Sequence, residues 1–150
     1  MRVVIQRVQK ASVCIHGQLH AAIGSGMMIL IGITHQDTID DINWLCKKIS
    51  HLRIFDDEQG VMNLDINTVN KECMVVSQFT LYASTAKGNR PSYIHAALPE
   101  YAQQCYQLFL EQLQKEIHSP IQSGVFGADM QVSLINDGPV TICMDSKQKE

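Results

Sequence analysis

The chain reads as a single α+β domain, and three observations lead there. Short β-rich runs bounded by turn residues dominate the sequence. Only two segments repeat apolar residues at helical spacing. The two kinds of element do not alternate regularly, as a doubly wound parallel sheet would require. At 150 residues the chain is long enough to bury a working core without disulfides or a structural metal.

The elements follow in order. Val3 to Val8 is β-rich, and Ser12 to Ile15 reads as a second strand. His16-Gly17-Gln18 is a turn into a strand from Leu19 to Ile23. Gly24-Ser25-Gly26 interrupts the pattern, and Met27 to Ile31 is then a buried strand, too short for a helix. Asp37, Thr38 and Asp40 supply helix-start chemistry ahead of Ile39, Ile42, Leu45, Cys46 and Ile49, which fall on one face.

Arg53 to Phe55 is extended, Asp57 to Gly60 turns, and Val61-Met62 begins the return. Cys73 to Val76 is another buried strand. Pro99-Glu100 opens the second helix, with Tyr101, Cys105, Leu108, Phe109 and Leu113 as its apolar stripe. Two strands, Gln131 to Ile135 and Val140 to Met144, close the domain around Asn136-Asp137-Gly138-Pro139. The domain spans 1–145, and residues 146–150 form a polar tail expected to fray from Ser146.

Charge and composition exclude several classes of function. A net charge of −3 leaves no broad polybasic surface, so contact with a nucleic acid must come from a local patch, and DNA is not an expected partner. The apolar run Met27 to Ile31 is far too short to span a bilayer, and the N-terminal residues lack the form of a signal peptide. Five evenly spread cysteines argue against a disulfide framework and for reduced thiols in a cytoplasmic protein.

Most local motifs dissolve on inspection. His16 and His20 have a zinc-motif spacing, but Gly17 separates them, the glutamate is missing and the segment reads as a hairpin; no metal is expected. Gly24-Ser25-Gly26 lacks the Gly-Lys-Ser/Thr of a phosphate loop. Ser77 lacks the flanking glycines of a nucleophile elbow. Two segments are harder to dismiss. Ser77-Gln78-Phe79-Thr80-Leu81 leaves a buried strand and sets hydroxyls and an amide beside an aromatic ring. Asn136-Asp137-Gly138-Pro139-Val140-Thr141 resembles a hairpin turn, yet Pro139 cannot donate where a hairpin strand would begin.

These two segments resemble the signature motifs of the D-aminoacyl-tRNA deacylase family. The resemblance continues through Gln6-Arg7-Val8, Arg53-Ile54-Phe55, Met62-Asn63, Arg90-Pro91-Ser92 and Phe126 to Val132, so it covers nearly the whole chain in family order. Asn89 and Tyr82 depart from residues common in relatives and would alter the pocket rim. The resemblance implies mostly antiparallel and mixed sheets forming a barrel-like core with two main helices. It implies a homodimer acting, without a cofactor, on the acceptor end of aminoacyl-tRNA. Ser77, Gln78, Phe79 and Thr80 would surround the scissile carbonyl. Gly138 and Pro139, with the bond between them cis, would enter the pocket of the other subunit as a chiral filter, supported by Arg7, Asn136 and Thr141.

On this reading the reaction is hydrolysis of D-aminoacyl-tRNA, a proofreading step in translation, and glycyl-tRNA should also be cleaved because glycine has no side chain to reject. An aminoacyl ester is already activated, so oriented amides and a positioned water, held with help from the tRNA 2′-hydroxyl, suffice. A rival reading makes Thr80 a covalent nucleophile, which would need an activating base. Lys47, Lys48, Lys87 and Arg90 are candidates for a weak RNA patch. The alternatives are a sister deacylase for mischarged L-amino acids, a non-catalytic RNA-binding module and a small-molecule esterase. Ser77, Phe79 and Val140 match the D-specific pattern.

Overall fold

Strand alternation divides the apolar residues of this protein between two cores. A computed structural model describes residues 1–149. Its elements are β1 (Arg2–Ile15), β2 (Gln18–Ile23), β3 (Gly26–Gly32), α1 (Ile39–Ser50), β4 (Phe55–Asp56), β5 (Met62–Leu64), β6 (Glu72–Ser77), α2 (Pro99–Glu116), β7 (Ile121–Ser123) and β8 (Met130–Asp145). A 3-10 turn, Phe79–Tyr82, follows β6. On β3 and β6, Met27, Ile29, Ile31, Cys73 and Val75 face the helices, whereas Met28, Met74 and Val76 face a second, smaller core. Successive side chains of a strand point to opposite faces, so a strand buried on both sides feeds both cores.

The main sheet runs β2-β1-β3-β6-β7, with β8 also paired to β1. β1 pairs antiparallel with β2, β3 and β8, while β3–β6 and β6–β7 are parallel. β2 comes round toward β6 and β7, which nearly closes the sheet into a barrel around the second core. The α+β class, the mixed barrel-like sheet and the two helices are therefore as expected. β3 can approach β6 only because position 26 is glycine: a Cβ there would lie 1.9 Å from the Glu72 carbonyl oxygen.

Helix α1 starts where its capping residues dictate. Thr38 is the N-cap, and its backbone N–H donates to the Asp41 carboxylate at 2.8 Å. Its buried face of Ile42, Leu45, Cys46 and Ile49 packs on the larger core. On α2 the buried face is Ala102, Cys105, Tyr106, Phe109 and Leu113. Tyr101 and Leu108, assigned to that stripe from the sequence, are partly exposed at its margins. Tyr101 uses its position to donate a hydrogen bond to the Asp37 carbonyl at 2.5 Å. No helix among the described residues is long and apolar enough to cross a membrane. All five cysteines are free, and burial pushes the Cys46 thiol up to about 12.

Three further expectations need revision. The segments Val3 to Val8 and Ser12 to Ile15 belong to one strand, because β8 pairs across the polar interval at Gln9-Lys10. The two closing strands are likewise one element, β8, and Asn136 to Pro139 is an outward bulge in it rather than a hairpin: both flanks pair with β1. Finally, the chain does not come loose at Ser146. That side chain is buried and accepts a hydrogen bond from the Met1 amino group at 2.9 Å, and Lys147 pairs with Asp41 at 2.7 Å. The Met1 amino group also pairs with the buried Asp37 carboxylate.

Candidate active site

The Asn136–Thr141 bulge protrudes from β8 and is braced from both sides. Asn136 Oδ1 accepts from the Val140 N–H at 2.8 Å, and its Nδ2 donates to the Val140 carbonyl and to Thr141 Oγ1 at 3.1 and 3.2 Å. Gln6 reaches the same Thr141 hydroxyl at 3.3 Å. Arg7 lies beneath the bulge, almost fully buried. Its Nε donates to the Asp137 carbonyl at 2.9 Å, and its Nη1 donates to the Ile54 carbonyl at 2.7 Å and to Asp56 at 3.0 Å. One guanidinium thus ties the bulge to the segment before β4, a fork that a lysine could not reproduce.

Position 138 must be glycine. Its φ of +141° is unfavourable for any L side chain, and a Cβ would lie 2.6 Å from Val140 Cγ2 and 2.8 Å from the Val140 nitrogen. The Gly138–Pro139 peptide bond is cis, and both residues are exposed. Arg7, Asn136, Gly138, Pro139 and Thr141 therefore form one constellation.

The second constellation begins where β6 ends. Gln78 donates its backbone N–H to the Ile31 carbonyl at 2.7 Å, the last ladder bond before the 3-10 turn. The first amides of such a turn have no intrahelical partner. Accordingly, the N–H groups of Phe79 and Thr80 donate to no acceptor among the described residues. Gln78 Nε2 donates to Thr80 Oγ1 at 2.6 Å, which leaves the hydroxyl hydrogen available. No ionisable side chain bonds to Thr80 Oγ1 among the described residues. The Phe79 ring is exposed and meets Tyr93 edge-on at 4.9 Å.

The two constellations do not meet within the chain. Ser77 is in register with Ile31, Ile31 with Val3, and Val3 with Met144, whereas the bulge lies opposite Arg7 farther along β1. Three strand spacings, roughly 14 Å along the sheet, separate them before that offset is counted. Of the four basic residues, Lys47 and Lys48 lie in the last turn of α1, while Lys87 and Arg90 lie in the exposed connection before α2. They sit on two separate elements. Tyr82, expected at a rim, is buried under Arg2, whose guanidinium carbon is 4.6 Å from the ring centroid, and its hydroxyl has no partner among the described residues. Asn89 is exposed.

Sequence reasoning passed over Gln9, Ile54 and Asp56 as supports of the bulge. Gln9 donates to the Asp137 carboxylate at 3.2 Å, and Ile54 and Asp56 accept from Arg7. The only local signal was the Arg53-Ile54-Phe55 segment, which does not disclose a carbonyl contact.

Comparison with known proteins places the chain. The family model described as D-Tyr-tRNA(Tyr) deacylase matches residues 4–145. Proteins named D-aminoacyl-tRNA deacylase from Bacteroides thetaiotaomicron and Parabacteroides distasonis are 59% and 57% identical, each match covering all of both chains. Among solved structures, one described as "c-Myc DNA Unwinding Element Binding Protein" has a TM-score of 0.92 at 42% identity, covering 97% of this chain and 98% of the other. Another, described as a "probable eukaryotic D-amino acid tRNA deacylase", has a TM-score of 0.82 at 15% identity, covering 95% and 97%, and shares the fold. With the family model matching residues 4–145 and relatives matching end to end, the chain belongs to the D-Tyr-tRNA(Tyr) deacylase family of hydrolases.

Proposed function

We propose that this protein hydrolyses the ester joining a D-amino acid to the 3′ end of tRNA, releasing both and so removing D-amino acids before they enter translation. The observation that carries this reading is the strand end at Ser77–Thr80. It offers two unengaged amides and a hydroxyl oriented by Gln78, with no titrating base bonded to it. That equipment suits an activated ester, whose hydrolysis needs stabilisation of a developing oxyanion more than a strong nucleophile. The names of the relatives supply the substrate class.

In this mechanism the amides of Phe79 and Thr80 donate hydrogen bonds to the carbonyl oxygen as negative charge forms on it. A water molecule attacks, positioned with help from the tRNA 2′-hydroxyl and Thr80. Thr80 is not the nucleophile, since no bonded base would take its proton. The working unit is a homodimer in which the bulge of one subunit enters the pocket of the other. The separation of the two constellations within a single chain supports this division. A bulge braced by Arg7 and Asn136 is stiff enough to reject by collision: with the amino group and ester both fixed, an L side chain would strike it and a D side chain would point away. Glycine has nothing to collide, so glycyl-tRNA is cleaved as well. Lys47, Lys48, Lys87 and Arg90 supply weak, salt-sensitive contacts to phosphate.

The relative named for a DNA element raises DNA binding as a second reading, and the net charge of −3 gives it little support here. The deciding experiment compares hydrolysis of D-tyrosyl-tRNA and L-tyrosyl-tRNA by the purified protein in the presence of a chelator. Rapid release of the D-amino acid alone is expected. Cleavage of neither would favour a binding role, and cleavage of both would remove the bulge as a chiral filter.

A further inference from the structure

Beside the last residues of β8 lies a groove of about 830 Å³ that meets the two signature segments only at Leu81. Helix α1 contributes Trp44 and Lys48, the C-terminal segment Gln148 and Lys149, β1 contributes Arg2, and the 3-10 turn contributes Leu81. Trp44 and Lys48 are one helical turn apart and share a face. The Lys147–Asp41 pair docks the segment beyond β8, bringing Lys149 within reach of the same ring. The Lys149 and Lys48 ammonium nitrogens lie 4.8 and 6.0 Å from the indole centroid.

The charges around this ring are uneven in a telling way. Arg2 is paired with Asp145 at 2.8 Å, and its Nη1 donates to the Leu81 carbonyl at 3.1 Å. Lys48 and Lys149 have no ion pair or side-chain hydrogen bond among the described residues. Two ammonium groups with no ion pair among the described residues thus lie within 6.0 Å of one indole centroid, in a chain whose net charge is −3. An aromatic platform with flanking cations complements a single-stranded nucleic acid, whose bases stack and whose phosphates seek the cations.

We propose that this groove binds the unpaired nucleotides that precede the terminal adenosine of the tRNA, with a base on Trp44 and phosphates on Lys48 and Lys149. The inference rests on the deacylase reading above. Leu81 immediately follows Thr80, so a strand lying in the groove leads directly to the amides of Phe79 and Thr80. Stacking is tolerant of base identity, so the groove serves tRNAs of differing sequence. It also gives the C-terminal segment a function.

Trp44 is the sole tryptophan, so its emission reports the site directly. The test titrates the full-length protein with an RNA tetranucleotide ending in CCA, which contains no ester to cleave. Saturable quenching is expected, weakened about tenfold in the exposed double variant Lys48→Gln/Lys149→Gln. Each lost phosphate contact lowers the salt slope by about 0.7 for single strands, so the pair should lower it by about 1.4. Trp44→Phe should preserve binding, measured with a labelled oligonucleotide, and abolish the signal. The same double variant should raise KM for D-aminoacyl-tRNA more than it lowers kcat. Absence of quenching, or equal affinity and equal KM in the double variant, overturns the proposal. A wild-type protein that binds the oligonucleotide with quenching but cleaves no D-aminoacyl-tRNA would uphold the groove and overturn the deacylase reading.

Discussion

Truncating Arg7 to alanine should loosen the bulge and thereby weaken both the fold and the stereochemical filter proposed for it. The mutation deletes hydrogen bonds to the Asp137 and Ile54 carbonyls and ion pairs with the Asp56 and Asp137 carboxylates at 3.0 and 3.7 Å. Asp56 and Asp137 are 47% and 36% exposed, so the two pairs together contribute at most about 1 kcal/mol. The two carbonyl bonds come from a charged donor that is only 10% exposed. Each is worth roughly 1.5 kcal/mol once water partly fills the vacated space. The total is about 3–4 kcal/mol, or about 10 °C in Tm for a chain of this length. Arg7→Lys, reaching one carbonyl instead of two, should lose about half as much. Urea unfolding monitored at Trp44 measures the stability; kcat/KM for D- and L-tyrosyl-tRNA measures the filter. A released bulge should reduce the D-over-L ratio at least tenfold, or abolish activity altogether. A stability change below about 1 kcal/mol with an unaltered ratio would refute the bracing argument.

Other substitutions probe the remaining links. Thr80→Ala should slow D-aminoacyl-tRNA hydrolysis by about 10- to 100-fold if the hydroxyl positions water; complete loss, with trapping of an acyl-enzyme in the wild type, would restore the covalent reading. Burial raises the Asp41 carboxyl, but hydrogen bonds from Lys147, Ser146 and Thr38 outweigh it and hold the group well below the usual carboxylate range. Its stabilising contribution is therefore full above about pH 4 and is lost as pH falls toward the depressed value. Asp41→Asn should accordingly flatten the acid side of the stability profile in urea titrations; an unchanged profile would contradict that assignment. Phe109→Ala, at a fully buried position, should cost about 3–5 kcal/mol by the same unfolding assay. Glycyl-tRNA should be hydrolysed by the active enzyme, and failure to detect its release would remove collision as the basis of rejection.

Much of the architecture could be read locally because its causes are local. Asp37, Thr38 and Asp40 mark the start of α1, Met27 to Ile31 is a strand on length alone, and Pro99 opens α2. What could not be read depends on distant partners. Gln9 and Lys10 look like a break until β8 is seen alongside them. Asn136 to Pro139 has the composition of a hairpin turn, and only the pairing of both flanks with β1 reveals a bulge. The three residues of β7 are too few to carry a period. The site divides in the same way: its two segments were visible as motifs, whereas Arg7's contact with Ile54 and the Trp44 groove join residues far apart in sequence.

The β1–β8 register ties the length of the bulge to the packing of both cores. Between the pairs Gln6–Thr141 and Val8–Asn136, β1 advances two residues and β8 five; between Val8–Asn136 and Lys10–Ile135, β1 advances two and β8 one. The surplus is three residues in β8 and one in β1. Both numbers are odd, so each strand inverts its inward face halfway along. Val3 and Ile5, with Ile142 and Met144, serve the helix-side core, while Ala11 and Val13, with Val132 and Leu134, serve the barrel. Removing or adding a single residue in the bulge would make its surplus even, turning Ile142 and Met144 outward and Thr141 and Cys143 inward. The protruding segment can therefore change length only in steps of two, so the reach of the bulge is quantised by the parity of the strand that bears it.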